Sequence, residues 1–147
     1  MTDKQLIEEF PFLECQPEND WCYGNSDDIN WFHNLPKGWE QLGLKMFSEI
    51  KDCLVKYNIP LECFIIQQLK EKWGELRLYW ALKCPAKKEC IKEIDDIVDK
   101  YEDVSYNTCI ECGKQAKYVT LGYILPYCEN CIKPNWKIKE INNEVQI

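Results

Sequence analysis

The chain has 147 residues, 46% of them hydrophobic, including six tryptophans, eight tyrosines and five phenylalanines. That apolar load excludes a natively disordered chain, and the length suits one folded core plus a metal-stapled subdomain rather than two independent cores. The formal net charge of −7 repels phosphate backbones and disfavours non-specific nucleic-acid binding.

The charge imbalance is N-terminal: residues 1–35 carry eight acids against one lysine, while the rest of the chain is near balance. In segment 1–36, Phe10, Phe12, Trp21, Tyr23, Trp31 and Phe32 interrupt a polar background. Thr2-Asp3-Lys4-Gln5 predicts a capped helix running to about Glu9, and Asp27–Asn34 suits another. The remainder reads as loop anchored on the core by its aromatics. Met1–Gln5 shows no basic stretch leading into an apolar one, and no segment approaches the roughly 18 apolar residues of a membrane span. The expectation is therefore a soluble cytoplasmic protein with no membrane partner. In such a reducing compartment, ten cysteines serve as metal ligands and buried thiols rather than disulfides.

From Lys37 to Asn58, Trp39, Leu42, Met46, Phe47, Ile50, Cys53, Leu54 and Tyr57 recur at three- and four-residue steps, one face of an amphipathic helix that Pro60 ends. Residues 62–69 form a β-rich run, and in 75–82 Leu76, Leu78, Trp80 and Leu82 alternate with Glu75, Arg77, Tyr79 and Ala81. Lys70–Gly74 lies between them, so the two runs read as a β-hairpin turning at glycine. After Pro85 a second amphipathic helix carries Cys90, Ile91, Ile94, Ile97, Val98, Tyr101 and Val104 on one side, with a solvated acidic face of Glu93, Asp96, Asp99 and Asp103 opposite.

Cys109-Ile-Glu-Cys112 and Cys128-Glu-Asn-Cys131 are separated by fifteen residues. Two such knuckles can present four thiolates to one tetrahedral Zn²⁺ at about 2.3 Å, and Gly113 supplies the positive φ that follows the first. Four protein ligands leave no exchangeable position, which marks a structural rather than a catalytic zinc. A thioredoxin-like redox pair would need only one Cys-x-x-Cys. Between the knuckles, Lys117–Leu121 reads as a strand.

Among the other cysteines, Cys53 and Cys90 lie on the apolar helical faces as small buried hydrophobes. The pairs Cys15/Cys22 and Cys84/Cys90 have wider spacings that admit oxidation or metal binding. His33 is the single histidine, and it lies among aromatics with no nucleophile elbow, phosphate loop or His-Glu-x-x-His motif to partner it. The ribbon lysines Lys114, Lys117, Lys133, Lys137 and Lys139, with Tyr118, Tyr123 and Trp136, offer a dilute nucleic-acid face. Arg77 is the only arginine.

Lys37-Gly38-Trp39 opening a helix, the run from Gln68 through Lys70-Glu71-Lys72-Trp73-Gly74 to Arg77 and Tyr79, and the terminal cysteine pairs together resemble a group of small proteins common in bacteriophages, prophages and bacteria. The resemblance spans about residues 37–131. Trp73, Glu75 and Leu78 depart from the group's usual phenylalanine, glycine and aromatic. It implies a zinc-bearing domain of mobile-element type, with Gly74 as turn and Arg77 as a shared polar group, and it implies no reaction.

The fold expected is α+β: a β-hairpin covered by two amphipathic helices (37–108), an acidic and aromatic segment packed on it (1–36), and a four-cysteine zinc ribbon with its tail (109–147). The function expected is a non-enzymatic, zinc-stabilised binding protein, phage or prophage encoded. It would engage or inhibit a host protein, such as a defence factor, through Trp21, Asp27, Asp28, Trp31, Phe32, Trp73 and Arg77. The alternatives are a nucleic-acid-associated zinc-ribbon regulator, and an enzyme or small-ligand binder with a pocket between hairpin and helices.

Overall fold

The computed structural model describes residues 1–15 and 30–141. The architecture is α+β, with a hairpin and three helices followed by a C-terminal cysteine-bearing sheet. Helix α1 (Asp3–Glu9) starts with a reciprocal capping box between Thr2 and Gln5, which satisfies two otherwise orphaned backbone donors. It leads through a short 3₁₀ turn, Pro11–Leu13, that buries Phe12 and Leu13. Of the second helix expected over Asp27–Asn34, the described part is a 3₁₀ turn, Trp31–Asn34, capped by the Asn30 side chain.

The first long helix is preceded by a 3₁₀ turn, Lys37–Trp39, and is α-helical as α2 from Glu40 to Lys56. Its end is set before Pro60. Asn58 takes φ 58°, and the amides of Asn58 and Ile59 donate to Val55 and Leu54 at 3.1 and 2.8 Å, the Schellman arrangement that closes a helix with a left-handed residue. Helix α3 (Lys88–Tyr106) buries Cys90, Ile94, Val98, Tyr101 and Ser105. Ile91 and Val104, expected on that face, lie at its margins and are about 40% exposed.

Strands β1 (Phe64–Lys72) and β2 (Glu75–Leu82) pair antiparallel, with one irregularity between Ile66 and Gln68. β1 runs three residues beyond its expected end, so the turn contracts to Trp73-Gly74, both with positive φ (57° and 81°), the type I′ geometry of two-residue hairpins. The free edge of β2 is closed by α3: the Leu76 amide donates to Ser105 Oγ at 2.7 Å. This pairs an edge donor that would otherwise be open to another chain. The core between hairpin and helices is filled by Phe47, Ile50, Leu54, Leu69, Leu76 and Ile94, with Phe12 edge-on to both Phe47 and Phe64.

The ribbon is a small sheet of order β4-β3-β5, from β3 (Tyr118–Thr120), β4 (Pro126–Tyr127) and β5 (Ile138–Glu140). Among the described residues, no helix is long and apolar enough to cross a membrane. Cys15 is disulfide-bonded, against the expectation of free thiols, and Cys22 lies outside the described residues.

Candidate metal centre

Cys109, Cys112, Cys128 and Cys131 converge so that their four sulfurs lie within 4.8 Å of one another. Cys112 Sγ and Cys128 Sγ approach to 3.5 Å. A tetrahedron of sulfurs at about 2.3 Å from a central ion has edges of about 3.8 Å. The cluster is therefore at coordination size, and the four can hold a metal ion. Cys109 and Cys128 are buried, Cys131 is half-buried and Cys112 is exposed.

Local backbone chemistry builds both knuckles. In the first, the Gly113 amide returns to the Cys109 carbonyl at 3.0 Å while Gly113 sits at φ 84°, a conformation that costs glycine little. The Cys109 amide donates to Lys114 O at 2.7 Å. In the second, the Cys131 amide donates to Cys128 O at 3.2 Å, and a bond from Ile110 N to Pro126 O at 2.9 Å ties the first knuckle to the strand that carries the second.

The electrostatics favour a cation. Burial by itself raises the Cys128 thiol, but hydrogen bonds from Cys112, Cys131 and the amides of Asn130 and Cys131 outweigh it and bring it down to about 7. Cys131 is pushed up, first by its hydrogen bond to Cys128 and then by burial. Four sulfurs this close share protons that a divalent ion would replace.

Gly38 and Trp39 join this centre to the core. The Gly38 amide donates to Ile110 O at 2.9 Å, and the Trp39 indole donates to Thr108 O at 3.0 Å. A Cβ on Gly38 would stand 2.1 Å from the Cys109 carbonyl oxygen and 2.5 Å from the Ile110 carbonyl carbon. The glycine thus permits backbone to press on backbone at the first knuckle. The sequence places Gly38 at a helix start and gives no sign of this contact, because its partner lies about seventy residues on.

Among the described residues, the other expected site residues are not gathered on one exposed surface. Trp21, Asp27 and Asp28 lie outside the described residues. Trp31 is 1% exposed, with its indole spent in the core, so it presents no surface to a partner. Phe32 is half-buried against the same core. Arg77 is half-buried and ion-paired to Glu75 at 3.1 Å, with its Nε unpartnered. Burial raises the neighbouring Glu102 carboxyl, and Arg77 only partly offsets that. His33 Nε2 lies 3.0 Å from Asp3 Oδ1, a contact that links its turn to α1.

Of the expected aromatic contacts, Trp73 is exposed, at 62%. It does not stand alone. A cavity of about 230 Å³ opens between the hairpin tip and the ribbon loop, lined by Glu71, Lys72, Trp73, Gly122, Tyr123 and Ile124. Nothing in the sequence groups Tyr123 with Trp73. The one signal there is the apolar pair Leu121 and Tyr123 flanking Gly122 at a turn, where polar residues are usual.

No protein-family model matches the chain, and neither a curated protein nor a solved structure matches it.

Proposed function

We propose that the protein is a non-enzymatic, zinc-stabilised binding protein. The observation that carries this reading is the closed donor set: four cysteine sulfurs within 4.8 Å of one another, all from the chain itself. All-thiolate donor sets select soft, tetrahedral ions, with Zn²⁺ the commonest. Bound there, zinc supplies a fixed tetrahedral link between the knuckles and needs no substrate position. Cys109, Cys112, Cys128 and Cys131 hold it, and Gly38 and Trp39 transmit the link to α2.

The partner in this reading is a basic host protein, met by a chain of net charge −7. Phage or prophage origin follows the resemblance in the hairpin and ribbon, whereas inhibition of a host defence factor follows from the acidic charge concentrated in residues 1–35, which could imitate nucleic acid at a basic site. A cytoplasmic setting follows from the same reading. The acidic surface contributes mainly encounter rate and partner choice, so capture is salt-sensitive.

Elemental analysis of the purified protein is expected to give one zinc per chain. The immobilised protein in bacterial lysate is expected to retain a basic protein at about 50 mM salt and release it near 500 mM. Absence of metal overturns the zinc centre; absence of any retained basic protein at low salt overturns the partner reading.

A second reading, a nucleic-acid-associated regulator, is favoured by one feature of the ribbon. Tyr127 and Trp136 lie with ring centroids 4.9 Å apart, and Lys133 and Lys117 stand over Trp136 and Tyr118 at 5.7 and 5.6 Å. Stacking rings interleaved with cations suit single strands. A mobility shift with a single-stranded oligonucleotide at about 50 mM salt, lost on Trp136→Ala, distinguishes it.

A further inference from the structure

Trp73 is an expensive choice for its position. It holds φ 57° in a type I′ turn, where asparagine or glycine fits with less strain and a bulky side chain is a genuine outlier. The core gains nothing from it, since the indole is 62% exposed. Residues that break a local rule without a packing reason concentrate at functional sites.

The surroundings supply a chemical reason. Tyr123, 71% exposed, lines the same cavity of about 230 Å³, and its phenol donates to Glu71 Oε1 at 3.0 Å. The Gly74 amide donates to Glu71 Oε2 at 2.9 Å. Glu71 is thus clamped at the cleft by two donors, each leaving one carboxylate lone pair unused. Beside the cleft, the Gly74 backbone packs so closely on the ribbon loop that a Cβ would lie 3.1 Å from Ile124 O.

Two electron-rich rings and a carboxylate around a small space are the elements of a cation-binding aromatic cleft. Its volume lies below the range of drug-sized ligand pockets and suits a single planar head. A guanidinium is the best fit, since it stacks on aromatic faces and donates to a carboxylate with the same plane. Lys72 on the rim opposes such a ligand with its own positive charge. The −7 of the whole chain favours its approach.

We infer that the cleft between Trp73, Tyr123 and Glu71 takes an arginine side chain of a basic partner protein. This deepens the binding reading above and rests on it for the partner, though its test needs no partner.

The probe is N-acetyl-arginine amide, titrated into the full-length zinc-loaded protein and followed by NMR at the Trp73 indole and Gly122 amide. The control is N-acetyl-citrulline amide, which has the same shape without the charge. Saturable shifts are expected with arginine, at least about fivefold tighter than with citrulline. Lys72→Gln should tighten arginine binding and Glu71→Gln should weaken it. Trp73→Asn restores the residue the turn prefers, so the variant should stay folded while losing arginine binding. Equal response to citrulline, no saturable shift, or undiminished binding by Trp73→Asn would overturn the site. A silent cleft leaves the low-salt capture experiment to be judged on its own.

Discussion

At the residue scale, the smallest side chain carries the largest constraint. Gly38 has no conformational reason to be glycine, since its φ is not in the left-handed region. Its reason is space: a Cβ would stand 2.1 Å from the carbonyl oxygen of Cys109, one of the four clustered cysteines. The obstructing atoms are backbone on both sides, with no flexible side chain to swing away, so any relief must move the knuckle or the start of α2. Gly38→Ala is therefore expected to destabilise the protein by about 3 kcal/mol, the upper range of overpacking costs, and to speed metal loss to a chelator. Thermal melting and a metal-release time course check both effects. A variant with wild-type melting and release would show that the close approach relaxes freely. Gly43 gives a contrast, because its nearest obstruction is the Leu35 side chain at 2.6 Å, which can rotate away.

At the scale of elements, α2 and α3 are fastened by a group neither periodicity nor composition singles out. Glu49 on α2 accepts from Lys100 Nζ at 2.5 Å and from the Tyr101 hydroxyl, both on α3. Burial raises the Glu49 carboxyl, but those two donors outweigh it and hold it below its ordinary value. A carboxyl depressed by folding stabilises the native state above its unfolded pKa of about 4.3 and loses that contribution as pH falls through the lower folded value. Glu49→Gln should accordingly show a shallower loss of stability between about pH 5 and pH 3 than the parent. Urea midpoints across that window measure it, and parallel acid slopes would remove Glu49 from the account. The elements themselves were legible because their signals are local: Thr2 and Gln5 three residues apart, the apolar stripes of the helices, and the alternation in 75–82. Their ends were less so. The Schellman close at Asn58 and the extension of β1 to Lys72 depend on which residue accepts a left-handed φ, and Trp73 doing so runs against its type.

For the molecule as a whole, the four-cysteine cluster is the most legible feature and its connections are the least. Four cysteines at fixed spacing stand out because a tetrahedral metal site draws on that residue type and that geometry, and the fold brings their sulfurs within 4.8 Å of one another. The contacts that fuse ribbon to core are close backbone approaches at Gly38 and Gly74 and single side-chain hydrogen bonds from Trp39 and Tyr123, spread over long separations, so no periodic pattern records them. The aromatic cleft is intermediate: Trp73 was visible as an oddity, while Tyr123 and Glu71 become its neighbours only once hairpin and ribbon meet. This division predicts how the protein comes apart. The core around Phe47, Leu54, Phe64 and Ile94 is fully buried without any ligand, whereas the ribbon consists of strands of two and three residues, too short to persist alone. Metal removal should leave the helical far-ultraviolet signal of α2 and α3 largely intact and abolish amide protection across β3, β4 and β5. Because Gly38 and Trp39 donate to the segment at the first knuckle, the melting temperature of the remaining core should fall too. Hydrogen exchange before and after treatment with a strong chelator reads both changes. If the β3 amides stay protected in the metal-free protein, the ribbon stands on packing alone and the four cysteines do not determine its fold.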